Sequence, residues 1–372
     1  MQEIKKNRIL IASVLKPVDE PRMYSRLGQS LVENGYEVFV AGFPPSSKID
    51  VPSMRLIPHA RFSRISWGRV IAPWKILMKA FQVKPSVLII ATHELLPTAI
   101  IYRIFTGNKI IYDVQEDYKK NILYTDAFPR LVRPLLAMAV RCIEILTAPF
   151  VSQFLLAEKC YEGHLGFGKK KSVVIENKCK LPDDYRRSTL PGNIQLLFTG
   201  TLAKSTGVLE AIRLAKILAA ADERIRLKIV GHCSLPHELK KIKEEITGHR
   251  FITLVGGSEF VPHEIIFIEI AQAHFGIISY PPSTHTSEKM PTKLYEYLAG
   301  QLPVILQTNT IWEAFCLPYQ ACLPIDWMNI DADAILLKMK ELTFYPSEVQ
   351  TAHWVNEEAK LIGCVHTLME PT

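Results

Sequence analysis

Two carboxylates and an ammonium, Glu288, Lys293 and Glu296, lie in the segment 286–307, TSEKMPTKLYEYLAGQLPVILQ. Pro291 suits the first position of a helix, the helical pattern runs through Leu298, Gly300 is placed to stop it, and residues 303–307 read as a strand. Glu288 then falls in the loop before the helix, with Lys293 and Glu296 inside its first two turns. A helix start offers unpaired N–H groups and a partial positive charge, both suited to phosphate. Lys293 adds a point charge there, Thr292 joins it as a binding candidate, and the Glu296 carboxylate is able to accept two hydroxyls of a ribose. The spacing alone fits equally a set of ordinary solvated charges at a helix end.

Other groups have the same double reading. Gly200 and Gly207 flank a strand-to-helix loop that holds Thr201, Lys204, Ser205 and Thr206; such a loop cradles a diphosphate or merely connects two elements. His93 and Glu94 follow a buried strand, where a histidine orders a sugar hydroxyl or simply starts a helix. Asp113, Glu116 and Asp117 cluster at the next strand end, where they orient an acceptor hydroxyl or cap the following helix. Lys16, Asp19 and Arg22 occupy the first strand-to-helix loop, and Arg22 suits bidentate phosphate recognition or a surface ion pair. His263 and Glu264 read as neighbours of a nucleobase or as helix caps.

The Glu288–Glu296 spacing resembles the signature of the GT-B-fold glycosyltransferases, in particular retaining family 4, which carries a Glu, seven residues and a second Glu at the opening of a helix. The run PTKLYEYLA followed by PVI is similar to the branch with Pro-x-Lys before the second Glu. Residues 195–212, QLLFTGTLAKSTGVLEAI, resemble that family's strand, Gly-x-Leu and helix-opening Gly. Residues 87–118 resemble its strand, His-acidic loop, helix, strand and acidic loop; KSVVIEN at 171–177 resembles the strand ending in Asn, and residues 354–362 the closing helix. The likeness spans most of the chain.

The resemblance implies that Glu296 binds the donor ribose and that Glu288 with its loop holds the donor sugar. Three departures stand out. Thr201 and Thr206 occupy places where the family commonly has Arg and Lys on the diphosphate, so Lys204 or Lys293 must supply that charge. Gln115 replaces the loop His that contacts the sugar, leaving His93, Gln115, Glu288 and Lys293 as the catalytic candidates. Gln301 takes the place of the usual Gly, with Gly300 one position early. The implied activity is transfer of a hexosyl group from a UDP- or GDP-type sugar to a hydroxyl of a glycan or lipid-linked acceptor, with retention and without a metal, as in polysaccharide biosynthesis. An epimerase or phosphorylase of the same fold, or a catalytically degenerate sugar-nucleotide-binding partner, are the rival readings.

The elements that must position these groups follow from pattern. Strands at 8–14, 37–41, 87–91 and 109–114 alternate with helical segments such as 23–34. The polar, Pro-containing stretch 178–193 reads as a linker, and the alternation restarts with strands near 195–198, 226–230, 252–255, 275–279, 303–307 and 321–324. The expected fold class is α/β, with two tandem Rossmann-like doubly wound domains facing across a cleft: 1–180 on the acceptor side, 193–350 for the nucleotide sugar, and 351–372 recrossing to the first.

A length of 372 residues exceeds one ordinary core, and 48% apolar residues exclude disorder. The most apolar region, 134–157, is broken by Arg141 and Glu144, so no membrane-spanning helix is expected, and the N-terminal basic-then-apolar order reads as a first strand rather than a cleaved leader. Seven cysteines without C-x-x-C suggest reduced thiols in the cytoplasm. The net charge of +7 carries no nucleic-acid motif. The segment 61–84 bears Arg61, Arg64, Arg69, Lys75, Lys79 and Lys84 without an acid, and Trp67, Val70, Ile71, Trp74, Met78 and Phe81 share one helical face. That face suits a core stripe on a helix starting regularly at Pro73, or a peripheral contact with the anionic inner face of a membrane.

Overall fold

The structure, a computed structural model, describes residues 7–45, 54–63, 65–124, 128–189, 191–282 and 287–370; Arg64 lies outside them. The chain divides into two compact units, one of residues 1–177 with 354–372, the other of 178–353.

The first unit runs β1 (Arg8–Pro17), a π-helical turn (Arg22–Gly28) continuing as α1 (Gln29–Glu33), β2 (Glu37–Phe43), β3 (Met54–Pro58), α2 (Trp67–Val83), β4 (Val87–Ile90), a short turn (His93–Leu95) into α3 (Leu96–Thr106), β5 (Lys109–Val114), α4 (Tyr118–Tyr124), α5 (Arg133–Thr147), β6 (Gln153–Leu156), α6 (Tyr161–His164) and β7 (Ser172–Val174). Its sheet is ordered β3-β2-β1-β4-β5-β6-β7, with every adjacent pair parallel. The apolar strand runs are continuous because both faces are covered. Leu10 and Ala12 of β1 face the layer containing α2 and α3, whereas Ile9 and Ile11 face α1 and the residues after 353.

The second unit runs β8 (Ile194–Thr201), α7 (Val208–Ala221), β9 (Ile225–His232), α8 (Pro236–Ile246), β10 (Ile252–Gly257), α9 (His263–Gln272), β11 (Phe275–Ile278), α10 (Thr292–Ala299), β12 (Val304–Gln307), α11 (Thr310–Cys316), β13 (Cys322–Ile325) and α12 (Ala332–Glu341). Its parallel sheet is ordered β10-β9-β8-β11-β12-β13. The last helix, α13 (Val355–Met369), belongs to the first unit. The Trp354 indole donates to Ser30 Oγ at 2.8 Å, and the buried Glu357 carboxylate accepts from the Glu176 N–H at 3.1 Å.

This is the expected architecture of two doubly wound sheets. Strand order reverses between β1 and β4 in one sheet and between β8 and β11 in the other. At such a switch point the two flanking loops diverge and leave a crevice beyond the carboxyl ends of the strands.

Local readings needed correction. Strand β1 continues to Pro17, and the helix expected from Met23 opens as a π-helical turn. Strands β3 and β6 gave no clear signal: β3 is a half-buried edge, and β6 follows α5 inside one apolar run, where periodicity cannot separate strand from buried helix. Helix α2 begins at Trp67, with Pro73 inside it. The stripe expected to pack on the sheet is turned outward, with Trp67 80% and Trp74 55% exposed, while α2 buries Ala72, Pro73, Ile76, Leu77, Ala80 and Val83 instead.

Candidate functional site

At the switch point of the second sheet, the carboxyl ends of β8, β9 and β11 approach one another backbone to backbone. A Cβ on Gly231 would lie 1.7 Å from the Gly200 carbonyl oxygen, and one on Gly207 1.8 Å from that of Ser279. Gly207 also has φ +82, the left-handed region in which glycine alone is unstrained, as it opens α7. Ser279 Oγ donates to the Gly207 carbonyl at 2.7 Å, tying the β8–α7 loop to the end of β11.

Thr206 has a different job from the one expected. Its Oγ1 sits 2.7 Å from the Thr201 carbonyl and 2.9 Å from that of Ala203, and it accepts from the Ala203 N–H at 3.2 Å. A hydroxyl has one proton to give, so Thr206 closes its own loop rather than reaching for phosphate. Lys204 is exposed beside it, its N–H 3.3 Å from Glu238 Oε2. Thr201 is exposed at the end of β8.

Across this floor stands α10, preceded by Pro291 as its cap. The Tyr297 hydroxyl accepts from the Thr199 N–H and pairs with Thr199 Oγ1, both at 3.0 Å, fixing the helix on β8. Lys293, in the first turn, is buried, and its Nζ lies 3.7 Å from the Phe198 ring centroid and 5.2 Å from that of Tyr280. This Nζ has no hydrogen-bond partner among the described residues. Burial pushes the Lys293 ammonium down to about 7, against the opposing pull of Glu296. Its Cε would lie 3.9 Å from a Cβ on Gly200, so the ammonium stem borders the glycine loop.

One turn further on, Glu296 is also buried, and its Oε1 lies 2.8 Å from His263 Nε2. His263 opens α9 and tilts against Phe267, 4.6 Å between ring centroids. It therefore holds the carboxylate, a role that its position in the sequence did not reveal. Glu264 is exposed beside it. Half-buried Thr292 begins α10, and exposed Glu288 lies in the loop before it. That loop is anchored by the Trp312 indole on the Lys289 carbonyl and by Asn309 Nδ2 on the Ser287 carbonyl, each at 2.9 Å; residues 283–286 lie outside the described residues. At the helix end, Gln301 adopts φ +50, while Gly300 leaves room for the Tyr185 hydroxyl and Ile270 Cγ2, each 2.7 Å from where its Cβ would sit.

The switch point of the first sheet is filled by side chains bound to one another. Arg22 is buried, with Nε 3.0 Å from both Asp113 oxygens, one terminal nitrogen 2.7 Å from Oδ1, and the other donating to the Ile175 carbonyl and Asn177 Oδ1. The expectation of Arg22 as a phosphate ligand and Asp113 as an acceptor group is thereby replaced: each neutralises the other away from water. Gln115 Nε2 donates to Asp113 at 2.7 Å and its carbonyl oxygen accepts from Lys16, which also meets Glu20 at 3.3 Å. Asp19 is half-buried in the same loop. Asp117 accepts from Arg141 at 2.7 Å and from the Lys120 N–H at 3.3 Å, the capping role, and Glu116 accepts from Asn121. His93 is buried edge-on to Tyr118, and burial lowers its pKa against the opposing pull of Glu94. Arg69 of α2 binds Glu94 beside it.

Of the expected residues, the structure thus gathers Gly200, Gly207, Lys293 and Glu296 at one switch point and Lys16, Arg22, Asp113 and Gln115 at the other. Among the described residues no group of three or more His, Cys, Asp or Glu is arranged to hold a metal ion, and no helix is long and apolar enough to cross a membrane.

No protein-family model matches the chain, and no curated protein matches it in sequence. Its backbone is similar to that of Anabaena HepE in complex with UDP-glucose, at a TM-score of 0.66 and 14% identity over 97% of this chain and 99% of that one. A glycosyltransferase from Rickettsia africae matches at 0.65 and 12% identity, over 99% and 100% of the two chains. The sucrose-phosphate synthase of Thermosynechococcus elongatus matches at 0.64 and 14% identity, over 98% and 96%. At these identities the likeness establishes the fold, which is GT-B.

Proposed function

We propose that this chain is a glycosyltransferase that moves a sugar from a nucleoside-diphosphate donor to a hydroxyl. The observation that carries the reading is the buried Lys293 ammonium, without a hydrogen-bond partner among the described residues, beside a glycine-lined loop and one turn from a buried carboxylate. A buried cation of this kind is costly until an anion meets it. The diphosphate supplies that anion, the amino ends of α7 and α10 add partial positive charge, and Glu296, held by His263, accepts the ribose hydroxyls. Glu288 and its loop take the sugar.

In the transfer the bond from the anomeric carbon to the diphosphate oxygen breaks, and its electron pair stays on the diphosphate next to Lys293. The acceptor oxygen bonds to the anomeric carbon on the same face and gives up its proton to the departing diphosphate oxygen, through a transition state resembling an oxocarbenium ion. The resemblance of the Glu288–Glu296 pattern to family 4 supports retention and hexosyl transfer, and the acceptor in this reading is a hydroxyl of a glycan or lipid-linked acceptor. The reaction needs no metal in this reading, since Lys293 and the helix ends meet the leaving charge, and activity in excess chelator tests that point. The odd cysteine number without C-x-x-C supports the cytoplasm as its compartment.

A thermal-shift screen of UDP-, GDP-, ADP- and dTDP-sugars tests the donor. The right one at 100 times its dissociation constant adds about 2.7 kcal/mol of stability, and slow donor hydrolysis should accompany it. A chain that binds a donor and never cleaves it would be a sugar-nucleotide-binding partner, and one that binds none would refute the reading.

A further inference from the structure

Helices α2, α3 and α5 lie side by side over one face of the first sheet, and their outer surface is unusual for a layer in contact with water. Trp67 and Trp74 on α2, Phe105 on α3, and Leu135, Met138 and Leu146 on α5 are all more than half exposed. Phe81 and Phe105 meet edge to face, 6.3 Å apart, joining the outer rows of α2 and α3. The three helices contain one acidic residue, Glu144, and it is buried against the Tyr112 hydroxyl at 3.0 Å. Among the described residues the exposed charges on and beside them, Lys75, Lys79, Lys84 and Arg130, are all basic. Scattered exposed apolar residues are normal, whereas a surface of this breadth marks a binding face.

We infer that the outer face of α2, α3 and α5 docks on an anionic lipid bilayer. Charge decides between occupants. A second copy meeting this face about a two-fold axis would set basic residues against their own counterparts with no acid to compensate. An anionic bilayer offers headgroups to the lysines and an apolar interior to the leucines, and tryptophan is favoured at the boundary between them. The face stays on one side of the bilayer, because no helix among the described residues is long and apolar enough to cross it. The inference stands apart from the transfer reading, since vesicle binding is measured without any donor, so either can fail alone.

The test is cosedimentation of the full chain with vesicles of phosphatidylcholine, with and without phosphatidylglycerol. Binding should require phosphatidylglycerol and weaken as salt rises. Replacing Lys75, Lys79 and Lys84 by Gln should weaken partitioning about 5-fold for each residue at low salt. Trp67→Ser with Leu135→Ser should weaken it further without lowering the unfolding temperature, because both side chains are already exposed. Indole fluorescence should shift to shorter wavelength on binding, and less so in Trp67→Phe. Absence of binding, equal binding to phosphatidylcholine alone, or a solution dimer that these substitutions dissolve would each overturn the inference.

Discussion

Replacing Lys293 by methionine tests the site at its most costly atom. The change keeps most of the stem's volume and removes the charge. Burial holds the Lys293 pKa near 7, against an ordinary 10.5, and each pH unit between the two is worth about 1.4 kcal/mol. The folded empty protein therefore carries a cost of about 5 kcal/mol at and below neutral pH, partly offset by the face of Phe198. The sign follows from proton counts. Between about pH 7 and 10.5 the unfolded chain binds more protons at this lysine than the folded chain, so wild-type stability rises with pH across that window and loses that gain as pH falls toward 7. Lys293→Met should be more stable than wild type near pH 7 by about 1 to 4 kcal/mol, the range found when buried charges yield to apolar groups. The difference should shrink by up to about 1.4 kcal/mol per pH unit on the alkaline side. Urea unfolding followed from about pH 6 to 10 reads both. Affinity should move the other way: losing charge-assisted contacts of about 1.5 to 3 kcal/mol weakens nucleoside-diphosphate binding about 10- to 150-fold, with the bare nucleoside little affected. Wild-type protein should also take up a proton on binding diphosphate at about pH 8, visible by calorimetry in buffers of different ionisation enthalpy. A variant less stable than wild type with a parallel pH profile, or one with undiminished diphosphate affinity, would refute the reasoning.

The other predictions concern its neighbours. Glu296→Ala should lose about 10- to 150-fold in nucleotide affinity, and His263→Ala about 2- to 10-fold, recovered in His263→Gln if the ring serves to hold the carboxylate; calorimetry separates these outcomes. Asp113→Ala should cost about 3 to 5 kcal/mol by denaturant unfolding, because Arg22 is left buried and uncompensated; an effect on turnover alone would return Asp113 to the acceptor side. Gly231→Ala should cost about 3 kcal/mol or more, since the new methyl group must displace the Gly200 carbonyl, and a soluble variant of wild-type stability would contradict the packing described at the strand ends.

Local pattern determined the fold class by itself. Runs such as residues 87–90 and 110–112 are apolar without alternation because parallel strands are covered on both faces, and that signal survives in one dimension. The window around Lys293 and Glu296 was legible for a related reason: a helix opened by proline after a loop brings neighbours in sequence to one place in space. Side-chain partnerships across the sheets were not legible. Arg22 and Asp113 are 91 residues apart, and His263 and Glu296 are 33 apart, so which charge is satisfied and which is left over depends on where strands end. Thr206 spends its hydroxyl inside its own loop, while Lys293, of the same apparent availability in sequence, is left without a hydrogen-bond partner among the described residues. The outward face of α2 was undecidable for a geometrical reason. That helix has apolar residues on both sides, and only the packing of Ile76, Leu77 and Ala80 on the sheet determines that Trp67 and Trp74 meet the outside.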